Sequence, residues 1–168
     1  INYFSYNELQ KNSYYKDYKI KNEKEYLNVF KNGQSIKYLA DGSVSYFAYP
    51  SVVKKIYDFN PEAKIIIIVR DPVMRAFSHY NMDKRMGYAK ESFLNYLINK
   101  GNKYDKFIHQ YIENSLYFKQ VKNYLKYFNK NQIFILQLEK IDDDIDKLCV
   151  FLDIDKSSID KKNKKINA

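Results

Sequence analysis

The chain has 168 residues, 45% hydrophobic and 17% aromatic, which is enough apolar side chain to bury a core and excludes an intrinsically disordered protein. Its formal net charge of +9 favours acidic partners: a phosphate-bearing nucleotide, an anionic polysaccharide, nucleic acid or an anionic surface. No apolar run approaches the ~18 residues of a membrane span, Ile1–Tyr15 lacks the basic start and apolar centre of a signal peptide, and the lone Cys149 rules out a disulfide framework.

In chain order, Glu23–Phe30 is predicted as a short helix, Ser35–Ala40 as a strand, Pro50–Phe59 as a second short helix and Lys64–Arg70 as a central strand. The continuous β-branched run Ile65-Ile66-Ile67-Ile68-Val69 predicts burial on both faces of a parallel sheet. Arg70 ends that strand, Asp71 is a good N-cap, and Pro72 suits a first helical position because its missing N–H costs nothing there. The helix that follows runs towards Met86, with Val73, Ala76, Phe77 and Tyr80 as its core-facing stripe and Asp71, Arg75 and Ser78 on another face. Further helices are predicted over Glu91–Lys100, Ile112–Phe128 and Asp142–Leu152, with a strand over Gln132–Leu138 between the last two. Gly101 is the best flexible break. Helix and strand alternate, as a parallel α/β sheet flanked by helices requires.

The strand-to-helix junction is the candidate site. Backbone N–H groups at the helix start, the Arg70 guanidinium and the Ser78 hydroxyl could together surround a phosphate or sulfate, since a helix dipole and a guanidinium fork both favour a multivalent oxyanion. From the residues alone, Arg70 serves equally well as a strand-end salt-bridge partner and Ser78 as a plain helix serine. Cys149 reads as a buried structural thiol, and Lys161-Lys162-Asn163-Lys164-Lys165 as a solvated basic tail within residues 156–168. Asp142-Asp143-Asp144 at a helix start is read as capping and dipole chemistry rather than a metal site. His79 and His109 are too isolated for a triad, and no metal is expected.

The sequence Arg70, Asp71, Pro72, Arg75, Ala76, Ser78, Tyr80 resembles the R-[DN]-P-x-x-R-A-x-S-x-Y pattern of sulfotransferases that use 3'-phosphoadenosine-5'-phosphosulfate (PAPS). Asp41-Gly42-Ser43-Val44-Ser45-Tyr46-Phe47 with Pro50 resembles the family's acidic-x-Ser/Thr-x-x-Tyr segment. Asn114–Tyr117, Tyr124–Phe128, Gln132–Leu136 with Glu139, and Phe151–Ile154 follow in the family's order. The resemblance is to the bacterial and heparan-type branches that modify carbohydrates. It implies a three-layer, P-loop-NTPase-like sulfotransferase fold, present in part, with Arg70 and Ser78 binding the 3'-phosphate of the nucleotide. It also implies PAPS as sulfuryl donor with no metal, a carbohydrate or glycolipid acceptor, and no nucleic acid partner. In-line transfer to a hydroxyl or amine is the implied reaction.

Other features depart from the family. The four glycines are isolated, and no G-x-x-x-x-G-K-[ST] loop is present to cradle the 5'-phosphosulfate. The Lys-Glu pair that often supplies the base in this branch would fall just before Ile1, leaving the catalytic residue unknown. Asp41 is a weak candidate, because the family's companion Lys is Gly42 here. Residues 1–168 are therefore read as one sulfotransferase-like domain truncated at both ends. The lone cysteine favours a cytoplasmic location, with the Golgi lumen as the alternative if an anchor precedes the chain. A non-catalytic anion-binding module and a P-loop kinase remain as alternatives.

Overall fold

The structure, a computed structural model, describes residues 1–10, 20–31, 36–98 and 110–158. The elements among them run α1 (Tyr6–Leu9), α2 (Glu23–Asn28), α3 (Ser45–Ala48), α4 (Pro50–Phe59), β1 (Ile65–Val69), α5 (Pro72–Arg85), α6 (Phe93–Ile98), α7 (Phe118–Tyr124), β2 (Ile133–Gln137) and α8 (Ile141–Leu152). Strands β1 and β2 pair in parallel, Ile65 opposite Ile133 through Val69 opposite Gln137. A parallel pair needs a crossover, and α5, α6 and α7 lie within it.

The predicted two-sided burial of β1 is not observed. Ile67 packs with Val53 of α4, with Tyr124 at the end of α7 and with Phe128 beyond it, whereas Ile66 and Ile68 are 41% and 55% exposed. Side chains alternate across a strand, so the two exposed residues share the opposite face. There α8 covers β2, with the Phe134 and Phe151 rings 5.3 Å apart, but leaves β1 open. Nor is β1 central among the described residues, where β2 is its one partner.

The strand predicted over Ser35–Ala40 is also absent from its described part, residues 36–40. No described strand pairs with this segment, and its Ile36 and Leu39 are exposed. It clips the end of α8 instead. Lys37 Nζ reaches the carbonyl and carboxylate of Asp153. Lys64 Nζ lies 5.4 Å from the centre of the Tyr38 ring and donates to the Phe151 carbonyl at 2.5 Å. Two ammonium groups at a helix C-terminus oppose its dipole favourably. At the other end of α8, Asp142, Asp143 and Asp144 occupy the first turn, but Lys140 holds the cap position and no side chain caps the helix. Dipole complementarity, not capping, accounts for the acidic run.

Helix α5 begins as its sequence predicts: Asp71 is the N-cap, its carboxylate accepting the Met74 N–H at 2.9 Å, and Pro72 is the first helical residue. Its inward face differs from the predicted stripe. Ala76, Tyr80 and Asp83 are buried, whereas Val73 is 69% exposed and Phe77 lies at the margin, edge-on to Phe93. The buried face is anchored by a polar contact, since the Tyr111 hydroxyl donates to Asp83 Oδ2 at 2.9 Å. The helix closes on Gly87 at φ +78°, with Tyr88 N–H donating to the Asp83 carbonyl and Gly87 N–H to that of Lys84. Only glycine takes that conformation without strain. Gly87→Ala is expected to lower stability by about 1 kcal/mol, measured by urea unfolding.

The long helix predicted over Ile112–Phe128 is split into a 3₁₀ turn at Glu113–Ser115 and α7. Ser115 Oγ donates back to the Tyr111 carbonyl at 2.6 Å, a local bond that competes with helix continuation. Helix α6 covers part of the predicted Glu91–Lys100 helix. Lys100, Gly101, His109 and the lysine cluster at 161–165 lie outside the described residues.

The tyrosines largely build the core. Tyr26, Tyr46, Tyr80, Tyr96, Tyr111 and Tyr124 are all buried, and the hydroxyls of the last five find hydrogen-bond partners, as burial of a phenol demands. Tyr124 donates to the Tyr46 carbonyl at 3.2 Å and Tyr80 to that of Glu91 at 3.0 Å. The N-terminal segment docks through Phe4 and Leu9 and through Glu8, which pairs with Lys55 at 2.9 Å and accepts from Ser51 at 2.6 Å. Partial burial pushes the Glu8 carboxyl up, but the bonds from Ser51 and Lys55 outweigh it and hold it below its ordinary value of 4.5. A depressed folded-state pKa stabilises above the unfolded value and is lost as pH falls through the folded one. Stability should therefore decline below about pH 4.5, and Glu8→Gln should flatten that part of a urea-midpoint profile.

Candidate functional site

Arg70 stands at the carboxyl end of β1, and Glu139 follows the carboxyl end of β2. In parallel α/β sheets ligands bind outside these strand ends. Arg70 Nε lies 3.5 Å from Glu139 Oε1, an ion pair whose geometry is not that of a hydrogen bond; Nε is buried and makes no hydrogen bond. The same Oε1 accepts the Asp71 N–H at 3.3 Å, and the Arg70 N–H donates to the Tyr117 hydroxyl, also at 3.3 Å. Tyr117 directly precedes α7, so the break that splits the predicted helix also places this phenol against the corner.

The helix start offers fewer free amides than the sequence implies. Those of Arg70, Asp71 and Met74 are engaged by Tyr117, Glu139 and Asp71, and Pro72 has none. Anion binding here must rest mainly on side chains. Ser78 lies about 9 Å further along the helix axis, six residues on from Pro72. It is exposed, and its hydroxyl has no hydrogen bond among the described residues. Arg75 is turned away from that face, with its Nη1 3.1 Å from His79 Nδ1. Burial pulls the Arg75 guanidinium down from its usual value, against the opposing influence of Tyr117 and Asp83. His79 Nε2 in turn lies 3.8 Å from Asp83 Oδ2, and the His79 ring meets Tyr111 edge-on at 5.0 Å. Arg75 and His79, half-buried, thus lead into the buried Asp83 and Tyr111 as a polar chain behind the working face of α5.

Asp41 belongs to a separate polar cluster. Its carboxylate accepts the Ser43 hydroxyl at 2.5 Å and the Tyr46 hydroxyl at 2.7 Å. Ser43 Oγ accepts the Asn2 N–H, and Ser45 donates to Asn2 Oδ1 at 2.6 Å. Burial and the neighbouring Asp41 carboxylate push the Tyr26 phenol up to about 12. Two neighbouring hydroxyls occupy the carboxylate, which anchors the N-terminal segment to α3. The cluster is tied to the Arg70 corner through Phe47, whose ring lies 6.2 Å from that of Tyr117 and 6.1 Å from that of Tyr124. Asp41 and Arg70 therefore lie on connected supports, but no contact joins them.

The sequence pattern includes Arg70, Arg75 and Ser78, and Tyr117 falls in the family-like segment Asn114–Tyr117, but the pattern assigns no role to Arg75 or Tyr117, and His79, Asp83 and Tyr111 carry no such signal. Among the described residues no group of three or more His, Cys, Asp or Glu could hold a metal ion, and no helix is long and apolar enough to cross a membrane.

A family model described as the sulfotransferase domain matches residues 49–167. Heparan sulfate glucosamine 3-O-sulfotransferase 5 of Mus musculus is 28% identical over 103 residues, which are 59% of this chain and 30% of that enzyme. The match thus spans about 30% of that relative's length. The crystal structure of a sulfotransferase from Alicyclobacillus acidocaldarius superposes with a TM-score of 0.78 at 26% identity, over 99% of this chain and 72% of that one.

Proposed function

The chain belongs to the sulfotransferase domain family, and from that premise we propose that it serves sulfuryl transfer from PAPS to a hydroxyl or amine of a carbohydrate acceptor. The observation that carries this reading is Arg70 at the tip of a parallel strand, followed by a well-capped helix bearing a free Ser78 hydroxyl. The residues fit the nucleotide. Arg70 Nε is buried beside Glu139, no hydrogen bond takes up the terminal nitrogens among the described residues, a guanidinium is a bidentate phosphate ligand, and Ser78 adds an exposed neutral donor.

In this reading Arg70 and Ser78 hold the 3'-phosphate, and PAPS when bound supplies the activated sulfuryl group. Anchoring the far phosphate fixes the line of attack, which accounts for much of what a protein contributes to such a transfer. The acceptor class rests on the mouse relative, whose name specifies a heparan sulfate glucosamine. The bacterial neighbour supports taking β1 and β2 as part of a three-layer, P-loop-NTPase-like sheet and residues 1–168 as one domain. Asp41, occupied by two hydroxyls, is better suited to holding the N-terminal segment than to taking the acceptor proton.

Incubating the chain with sulfur-labelled PAPS and heparan-type oligosaccharides tests the proposal. Label appearing on the sugar, and lost in Arg70→Ala, supports it. Label remaining on the nucleotide across acidic, neutral and amino sugars argues against it.

A further inference from the structure

We propose that Glu139 is a positioning residue, holding the Arg70 guanidinium and the strand-to-helix corner in the arrangement that receives a phosphate; this rests on the reading of Arg70 as a phosphate ligand. One oxygen, Oε1, makes both contacts, with Arg70 Nε at 3.5 Å and the Asp71 N–H at 3.3 Å. Glu139 therefore fixes the side chain and the backbone that follows it together. The corner is held from a second side by the Tyr117 hydroxyl, which accepts the Arg70 N–H at 3.3 Å.

The contact has a form suited to positioning rather than blocking. Guanidinium has five N–H donors, and the carboxylate stands beside only the Nε corner, without forming a hydrogen bond there. The terminal nitrogens, which give the fork its bidentate reach, are not taken up by Glu139. Arginine loses much rotamer freedom when it binds an anion, so a side chain ordered beforehand binds more tightly. The opposing effect is repulsion between carboxylate and phosphate. The Glu139 side chain is 47% exposed, so water and salt screen that repulsion while the ordering persists.

The test is calorimetric titration of the wild type, Glu139→Ala, Glu139→Gln and Arg70→Ala with adenosine 3',5'-bisphosphate and with adenosine 5'-monophosphate, which lacks the 3'-phosphate. Glu139→Ala is expected to weaken the bisphosphate by about tenfold and leave the monophosphate unchanged. Glu139→Gln keeps an acceptor for the Asp71 N–H but loses the charge beside Arg70, and should weaken the bisphosphate by about threefold. A general structural fault would lower both ligands together, so the split isolates positioning, and the glutamine variant carries the test if the alanine variant does not fold. Bisphosphate affinity unchanged or raised in both variants, with Arg70→Ala still defective, overturns the role of Glu139 alone. A wild type that does not prefer the bisphosphate overturns the Arg70 reading and this role with it.

Discussion

Arg70→Ala will weaken binding of adenosine 3',5'-bisphosphate by about 100-fold, or about 2.7 kcal/mol, the loss expected when a charge-assisted bidentate contact to phosphate is removed. The size follows from the corner's construction. The amides of Arg70, Asp71 and Met74 are spoken for by Tyr117, Glu139 and the Asp71 carboxylate and Pro72 has none, so the Val73 N–H is what the first turn has left to offer, and one neutral donor replaces little of a missing guanidinium. Ser78, a neutral donor, contributes less, and Ser78→Ala should cost about tenfold. Arg70→Lys should recover only part of the affinity, because an ammonium supplies a point charge without the planar fork. The fold should survive all three changes, since Arg70 is partly exposed and its contact with Glu139 is a loose one. Calorimetry alongside urea unfolding separates lost binding from lost structure.

The largest effect on stability is expected at Asp83. Its side chain has no exposure, and its Oδ2 accepts the Tyr111 hydroxyl while facing His79 Nε2. Asp83→Ala removes the acceptor and leaves the Tyr111 phenol and His79 imidazole buried behind α5, at a cost of about 3 kcal/mol or more. Asp83→Asn keeps the shape and an acceptor oxygen, and should cost about half as much. Because α5 carries Ser78 and begins at the Arg70 corner, Asp83→Ala should also weaken nucleotide binding, but in proportion to the loss of folded protein. Urea midpoints at matched pH for the two variants measure the difference.

What the sequence reveals here is local, and what it hides is tertiary. Asp71 and Pro72 begin α5 as their chemistry requires, because an N-cap and a first-turn proline act within one turn of themselves. Pro50–Phe59 is likewise found with its predicted limits. The alternative role for Arg70, a strand-end ion pair, is met by Glu139, which lies 69 residues away in the chain (139 − 70) and could not be paired with it by spacing. Val73 and Phe77 look like core residues, yet the helix turns Asp83 inward because a hydroxyl from Tyr111 is waiting there. The apolar run of β1 sets its strand character but not what covers it, and on the face of Ile66 and Ile68 α8 reaches β2 only. Ser35–Ala40 has strand-like composition, but with no neighbouring strand among the described residues its own described residues serve instead to clip the end of α8.

The central claim, that the Arg70 corner holds a 3'-phosphorylated nucleotide, is tested most directly by calorimetric titration of the wild-type chain with adenosine 3',5'-bisphosphate against ADP. Preference for the bisphosphate by about tenfold or more is the result predicted, since only that ligand carries the phosphate Arg70 and Ser78 are proposed to bind. A well-folded chain that binds the two equally, or prefers ADP, would contradict it.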